Sequence, residues 1–450
     1  MPLREAIQSY HDLLTDELTQ ASQAQLDDQL RRRGLFFGQR PLCTVLRPRF
    51  LTPEQYRFLQ SGVQVLLRAF DKSYRAAMAD ATFRAQFGLL DWEEELVRHD
   101  PGYRDPSPIS RVDTFFVTDR GGLRLTEYNA ETPAGIAYHD ALTEVFYSLP
   151  VMREFLRHHE VRPLPARHSA LHALLDAYQQ WAGRSEAPRI AILDWREVPS
   201  YSEFVLFEEF FKSQGLECII TDPREVEYRD SRLVAGDFTI TLIYKRVLIS
   251  ELVERGGLDQ PVVRAVRDGA VCMVNPFSCK ILHKKASLAV LNDERNASLF
   301  TAEEQKAIDA YIPWTCRVEQ RHASYRGQVI DLIPYILEHR ENLVLKPNDE
   351  YGGKGIVLGW QVDSAEWERA IQTALAEPYI VQERVAIPSE PYPSLIDGHV
   401  TLIDRMLDTN PFVFYGNYVD SCLSRISTEA LLNVTAGGGS TVGTFVVEKR

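Results

Sequence analysis

Residues 346–359 read Lys-Pro-Asn-Asp-Glu-Tyr-Gly-Gly-Lys-Gly-Ile-Val-Leu-Gly. Two lysines, the carboxylate of Glu350 and the glycines Gly352, Gly353 and Gly355 are the parts from which a nucleoside triphosphate site is made. Glycine lets backbone N–H groups close on an anion, lysine offsets phosphate charge, and a carboxylate beside phosphates holds magnesium. The apolar runs Leu343-Val344-Leu345 and Ile356-Val357-Leu358 predict a strand and its antiparallel return around this loop. Two commoner phosphate motifs are excluded by the letters. A Walker A loop would need Gly at 348 and Ser or Thr at 355, where Asn348 and Gly355 stand, and a dinucleotide fingerprint from Gly353 would need Gly where Leu358 stands. Taken alone, the loop also suits an ordinary hairpin turn.

A second constellation lies at residues 110–131. Two alternating runs flank Asp119-Arg120-Gly121-Gly122, a hairpin signal. With the turn centred on Arg120, Asp113 faces Glu127 and Arg111 faces Asn129, and period-2 alternation places all four on one face. Facing carboxylates repel unless a cation lies between them. Asp113, Glu127 and Asn129 therefore form an oxygen ligand set for a divalent ion, with Arg111 placed to clamp a phosphate. A solvent-exposed, salt-bridged hairpin face is the alternative.

Together these segments resemble the circularly permuted ATP-grasp ligases, the group of glutathionylspermidine synthetase and eukaryotic-type glutathione synthetase. In that family Arg-x-Asp precedes Glu-x-Asn, and Lys-Pro-x-x-Glu-x-Gly-Gly follows much later; here these are Arg111-Val112-Asp113, Glu127-Tyr128-Asn129 and Lys346 to Gly353. The resemblance implies an α+β or α/β chain with a circularly permuted ATP-grasp, a helical N-terminal region and a small α/β substrate-side domain. It implies ATP with two Mg2+ ions on Asp113, Glu127, Asn129 and Glu350, and phosphate lysines at Lys346 and at Lys285 or its neighbour Lys284. Residues 379–385 resemble the adenine-binding hinge, which implies nucleotide contacts at Gln382, Glu383 and Val385. Cys422-Leu423-Ser424-Arg425, followed by Asn433 to Gly439, resembles the substrate arginine and closing glycine loop, and residues 433–443 would form a lid. One departure stands out: Ser427 occupies the place of a basic residue in the glutathione synthetase branch, which loses one phosphate contact.

Composition agrees with an enzyme of this kind. The 450 residues suffice for two to four units around one site, and 50 Lys and Arg against 63 Asp and Glu give a formal charge of −13. That balance disfavours nucleic-acid binding, and an acidic chain would also suit a cationic substrate such as a polyamine. No apolar stretch is long enough for a membrane span, and the start, Met-Pro-Leu-Arg-Glu-Ala-Ile, lacks a signal peptide's apolar core. The six cysteines (43, 218, 272, 279, 316 and 422) include no Cys-x-x-Cys pair and read as free thiols in a reducing cytoplasm. His168 and His172 have metal-like helical spacing without an accompanying carboxylate motif and read as an amphipathic helix surface.

The elements that must position these residues divide as follows: a helical region at 1–104, carrying a capping box at Thr52-Pro53-Glu54-Gln55; the permuted hairpin at 105–150; a helical connector at 151–187; an α/β substrate-side domain at 188–275; and the ATP-grasp at 276–450, whose sheet is expected from alternating strands between 343 and 447. The reaction expected is ATP-dependent amide formation from a small-molecule carboxylate and an amine through an acyl-phosphate, with Arg111 and Arg425 as the catalytic arginines. A non-catalytic ATP-binding protein and a phosphotransferase with the same grip are the alternatives.

Overall fold

The structure, a computed structural model, describes residues 3–117, 122–183, 186–350, 352–429 and 439–450. The expected turn at Asp119 to Gly121 and the loop segment 433–438 lie outside the described residues.

Strands Ile109–Val117 and Gly122–Asn129 pair with Arg111 opposite Asn129 and Asp113 opposite Glu127, the expected register, and the ladder shifts by one residue after Asp113. Alternation sorts the two faces. Val112, Phe116, Leu123, Leu125 and Tyr128 pack on Leu59, Val63, Leu66 and Phe70 of helix Pro53–Ala79, leaving the polar side chains on the opposite face. Thr52 and Gln55 cap that helix reciprocally, Thr52 Oγ1 accepting from Gln55 N at 3.3 Å and Gln55 Oε1 from Thr52 N at 2.9 Å. The hairpin is the edge of a larger antiparallel sheet: Asn410–Phe414 pairs with Ile109–Val117, and Tyr418–Ser427, His399–Leu407 and Ser389–Ile396 follow outward.

A second antiparallel sheet runs Thr315–Arg317, Tyr379–Glu383, Leu343–Pro347, Val357–Leu358. Its inner face, with Leu343, Leu345 and Val381, packs on Trp367 and Ile371 of helix Ser364–Ala376. The strands between 343 and 447 therefore do not form the single sheet expected from their alternation. They divide between this sheet, the hairpin's sheet and a three-stranded one in which Thr444–Lys449 lies between Arg49–Leu51 and His159–Pro163. The strand His159–Pro163 also interrupts the helix expected over 151–182, separating Pro150–Phe155 from Arg167–Ala182. Local pattern does not reveal pairings made with residues hundreds of positions away.

The α/β lobe has four parallel strands in the order Cys272–Val274, Leu242–Lys245, Arg189–Leu193, Glu217–Thr221. Its strands are apolar on both faces because helices cover both: Ile190, Ile192 and Tyr244 face Phe204, Phe207 and Phe211, while Ala191, Leu193 and Ile243 face Leu252, Val262 and Val266. The connection after Arg189–Leu193 runs to Glu217–Thr221 on one side, and the connection after its neighbour Leu242–Lys245 runs to Cys272–Val274 on the other. This divergence opens a crevice at the strands' carboxyl ends.

Buried Asn275 joins the lobe to the hairpin. Its Oδ1 accepts from Ile109 N at 3.1 Å, and its Nδ2 donates to Ile109 O, Ala130 O and Glu131 O at 2.6, 2.9 and 3.0 Å. Asn275→Ala leaves these backbone groups orphaned, at about 1–3 kcal/mol each before relaxation. A fall of at least about 2 kcal/mol is expected from denaturant unfolding, against under 1 kcal/mol for an exposed asparagine-to-alanine control.

Candidate active site

The hairpin's polar face, the outer face of the second sheet and the carboxyl edge of the α/β lobe enclose one cavity of about 570 Å3. That size suits a nucleotide or a comparable small molecule. Of the residues singled out in the sequence, Arg111, Asp113, Glu127, Asn129, Lys346, Gly352, Gly353, Gln382, Glu383, Val385 and Arg425 line it. Lys285 reaches its edge through Glu127, while Glu350 and Gly355 stand outside the lining.

Lys346 leaves strand Leu343–Pro347 towards the cavity, its Nζ donating to Gln382 Oε1 at 2.7 Å and to Thr126 O at 3.3 Å. Burial lowers its pKa to about 8 and Lys285 adds to the fall, against the opposing pull of Glu127 and Asp113. Lys285 Nζ lies 2.9 Å from Glu127 Oε1 and also donates to Glu350 O at 2.7 Å. Lys284 turns the other way, to Glu93 and Asp349. Lys285 is thus the member of the pair that reaches the hairpin, and neither lysine is solvated surface charge. Glycines 352 and 353 take φ of 65° and 80°, in the left-handed region that favours glycine. Gly355 shares that region at φ 71°, and a Cβ there would in addition come within 2.7 Å of Pro347 Cγ, so its missing side chain permits the turn to close.

Arg111 grips Asp113 with two hydrogen bonds, Nε to Oδ1 at 2.7 Å and Nη2 to Oδ2 at 3.1 Å, and its Nη1 donates to Ala134 O at 2.7 Å. Arg425 Nη2 donates to Asp113 Oδ2 at 2.8 Å, and Asp408 holds Arg425 from behind at 2.6 Å. Burial alone would raise the Asp113 pKa, but the two guanidiniums pull it down to about 2. Both Asp113 oxygens are therefore engaged by arginine, so this side chain orients the two guanidiniums. That arrangement differs from the metal-ligand role expected from the hairpin pattern. Glu350 also departs from expectation, its carboxylate turning outward to Lys354 Nζ at 3.2 Å.

Glu127 and Asn129 are the oxygen donors left for a divalent ion, and they fit one. The side-chain amide of Asn129 makes no hydrogen bond among the described residues, and its Nδ2 is buried without an acceptor. Turning the amide towards an ion would break no bond. Magnesium takes few protein ligands and completes its octahedron with water and phosphate oxygens. On strand Tyr379–Glu383, the expected hinge, Gln382 Nε2 donates to Thr315 Oγ1 at 3.0 Å, fixing its amide against Lys346. The Glu383 carboxylate accepts from Tyr325 OH at 2.9 Å and Arg326 Nη2 at 2.7 Å.

A layer behind this site was not legible in the sequence. Lys280, Lys284, Glu93, Glu131 and Asp349 form a buried ionic network. Lys280 Nζ lies 2.6 Å from Asp349 and 3.1 Å from Glu131; Lys284 Nζ lies 3.0 Å from Asp349 and 2.7 Å from Glu93; and Lys245 Nζ reaches Glu131 at 3.4 Å. Glu131, His283 and Asp349 converge within 4.8 Å, as a metal site would. The Lys280 ammonium already stands between the two carboxylates, however, and closes the cluster. His283, on the cavity wall, is held neutral, burial lowering its pKa to about 4. The available signal was the i, i+4 spacing of Lys280 and Lys284, which puts both on one face of a short turn.

Residues 91–427 match the family described as circularly permuted ATP-grasp type 2, and the chain belongs to it. A Frankia casuarinae protein bearing the name glutamate–cysteine ligase 2-2 is 23% identical over 95% of the chain and 50% of its own length. A Frankia alni protein named glutamate–cysteine ligase 2-3 is 26% identical over 94% and 49%. The chain spans about half the length of these curated relatives. Among solved structures, a glutathione synthetase-like effector from Globodera pallida in its apo form superposes with a TM-score of 0.60 at 11% identity, covering 96% of this chain and 98% of that one, which establishes a shared fold. The fold is an α+β ATP-grasp, and no helix among the described residues is long and apolar enough to cross a membrane.

The network also predicts a pH dependence. Burial raises the Glu131 pKa, but Lys280 and Lys245 outweigh it and take the pKa from 4.5 to about 2. A depressed carboxylate pKa means stability that is complete above pH 4.5 and lost as pH falls towards 2. Glu131→Gln should cost about 3–5 kcal/mol at pH 7, because it strands buried ammonium groups. The gap between variant and parent should narrow below pH 4.5, as measured by urea unfolding across pH.

Proposed function

We propose that the chain is an ATP- and magnesium-dependent ligase that joins a small-molecule carboxylate to an amine. The observation that carries this reading is the meeting, in one cavity, of a nucleotide grip with an arginine pair. Lys346, Gly352, Gly353 and the hinge strand supply the grip; Arg111 and Arg425, held by Asp113 and Asp408, stand where an acid and its phosphate need positive charge. Family membership supports the same reaction class. The Frankia relatives' names describe coupling of an amino-acid carboxylate to an amino-acid amine, which is ligation of this kind.

In this reading a carboxylate oxygen of the acid attacks the γ-phosphorus of ATP, the bond to the β-bridging oxygen breaks, and ADP leaves. The amine nitrogen then attacks the acyl carbon, phosphate departs with the C–O bond pair, and the nitrogen loses its proton. Magnesium, held by Glu127 and Asn129, would screen the phosphate charge. Lys346 and Lys285 draw the phosphates to the hairpin. Arg111 and Arg425, unable to swing because Asp113, Asp408 and Ala134 O hold them, present fixed positive charge to the transferred phosphoryl and the tetrahedral oxygens. That rigidity places their cost of reorganisation in folding.

ADP release measured over a panel of carboxylates crossed with amines tests the reading. Release that needs both partners is the expected result; release with one partner alone, or with none despite tight ATP binding, would sink it in favour of a phosphotransferase or a binding protein. Lys346→Met and Glu127→Gln should each weaken Mg-ATP binding by about tenfold or more, since a charged hydrogen bond is worth roughly 1.5–3 kcal/mol. Lys354→Met, at an exposed tip, should change it less than about threefold. Asp113→Asn should lower turnover more than Mg-ATP affinity, because it releases the two arginines. Calorimetric titration alongside steady-state rates separates these effects.

A further inference from the structure

At the end of the cavity remote from the hinge, the wall is the carboxyl edge of the α/β lobe. Asp194 directly follows strand Arg189–Leu193, and Arg246 directly follows Leu242–Lys245, so both stand at the crevice where the lobe's connections diverge. Ligands of parallel sheets bind at such a crevice. Asp194 is only 7% exposed, yet it lines the cavity. Its carboxylate has one hydrogen bond among the described residues, from Trp195 N to Oδ1 at 2.8 Å, and no salt bridge.

The cations that could neutralise it are directed elsewhere. Arg246 gives Nη1 to Pro133 O at 2.6 Å and Nη2 to Glu203 at 3.2 Å, and Lys245 turns to Glu131. Glu251, which also lines the cavity, accepts from Trp195 Nε1 at 2.9 Å and adds a second carboxylate to this wall. Val198, Pro199 and Leu248 beside them offer apolar surface for a hydrocarbon stem. An almost buried carboxylate that faces a cavity without a salt bridge is favoured only if it is protonated or if a ligand brings a close positive charge.

We propose that Asp194 anchors an ammonium or guanidinium group of the substrate, at the end remote from the reacting carbon. The proposal rests on the ligase reading and adds the substrate's charge to it. The pKa of Asp194 fits this role. Burial raises it to about 7, with Glu251 adding to the rise and the Trp195 N–H, Arg246 and Lys245 opposing it. A cationic ligand should therefore bind more tightly as pH rises through 7, and the preference should level off above.

The charge can sit on the acid or on the amine, and two arms of one experiment decide which. Acids with a free amino group are compared with their N-acetyl forms, and α,ω-diamines with monoamines of equal length, by ADP release and by calorimetry with magnesium and a non-hydrolysable ATP analogue. In one arm, removing the positive charge should raise KM and Kd by about tenfold or more, and Asp194→Asn should erase that difference with kcat changed less than about threefold. The substitution is isosteric, keeps an oxygen for the Trp195 N–H and removes a buried carboxylate that has no salt bridge, so folding is not threatened. Binding without charge preference, a preference that survives in Asp194→Asn, or failure of the parent to bind any cationic probe overturns the subsite. The calorimetric arm keeps the two proposals apart: charge-selective binding without ADP release supports the subsite and sinks the ligase, whereas ADP release from both partners without charge preference does the reverse.

Discussion

Asp349 is one carboxylate shared by two buried lysines, and the site depends on that sharing. Lys280 and Lys284 belong to the turn at 279–285, Glu93 to the helical region and Glu131 to the segment after the hairpin, while Lys245 ends a strand of the α/β lobe. Five parts of the chain, Asp349's own loop included, therefore meet through charges that are largely shielded from water. A buried ion pair adds little net stability, because desolvation offsets its attraction, but breaking one is costly because the survivor is left uncompensated. The consequence is positional. The backbone just before the glycine loop cannot move relative to the hairpin without separating ions in a low dielectric. Asn348 reinforces this, its O and Oδ1 accepting from Lys285 N and Ala286 N at 2.9 and 2.8 Å.

In front of that network the cavity divides by chemistry. Its hinge end is a sheet face, where alternation sends Val344, Lys346 and Gln382 to one side and Leu343, Leu345 and Val381 to the core. The hairpin repeats the arrangement, with an apolar face on helix Pro53–Ala79 and a polar face on the cavity. The lobe end follows a different rule: its strands are apolar along their middles, and the polar side chains that face the cavity, Asp194 and Arg246, lie immediately beyond them. In the proposed reading, nucleotide grip and substrate recognition are thus built by two kinds of sheet.

Much of this was legible in the sequence because it is local. The register of Arg111, Asp113, Glu127 and Asn129 followed from period 2 and a turn, the capping box from four letters, and the parallel lobe from its alternation of strand and helix. What was not legible is the choice of partner. Asp113 and Glu127 carry the same charge on the same face, yet two arginines hold one and a lysine the other, because Arg425 arrives from a strand some 300 residues later. Lys284 and Lys285 are adjacent and chemically alike, yet they turn to opposite sides of their segment. Nothing in the local sequence marks Asp349, whose role comes from Lys280 and Lys284, brought beside it by the fold. Spacing reveals a shared face, but only the fold reveals what that face meets.

The pairing of Ile109–Val117 with Asn410–Phe414 also has a kinetic meaning. During synthesis the hairpin can form as soon as it is made, but one of its edges has no neighbour until about 300 further residues exist. For that interval the nascent chain carries an open strand edge with Val112 and Phe116 beside it, the kind of surface that recruits other strands. Loop closure over such a span makes the sheet's completion a late event of high contact order. Helix Pro53–Ala79, made earlier and able to cover the hairpin's apolar face at once, is the element that shelters it meanwhile. Helix Pro53–Ala79 is thus available to the nascent hairpin before it becomes a wall of the finished core.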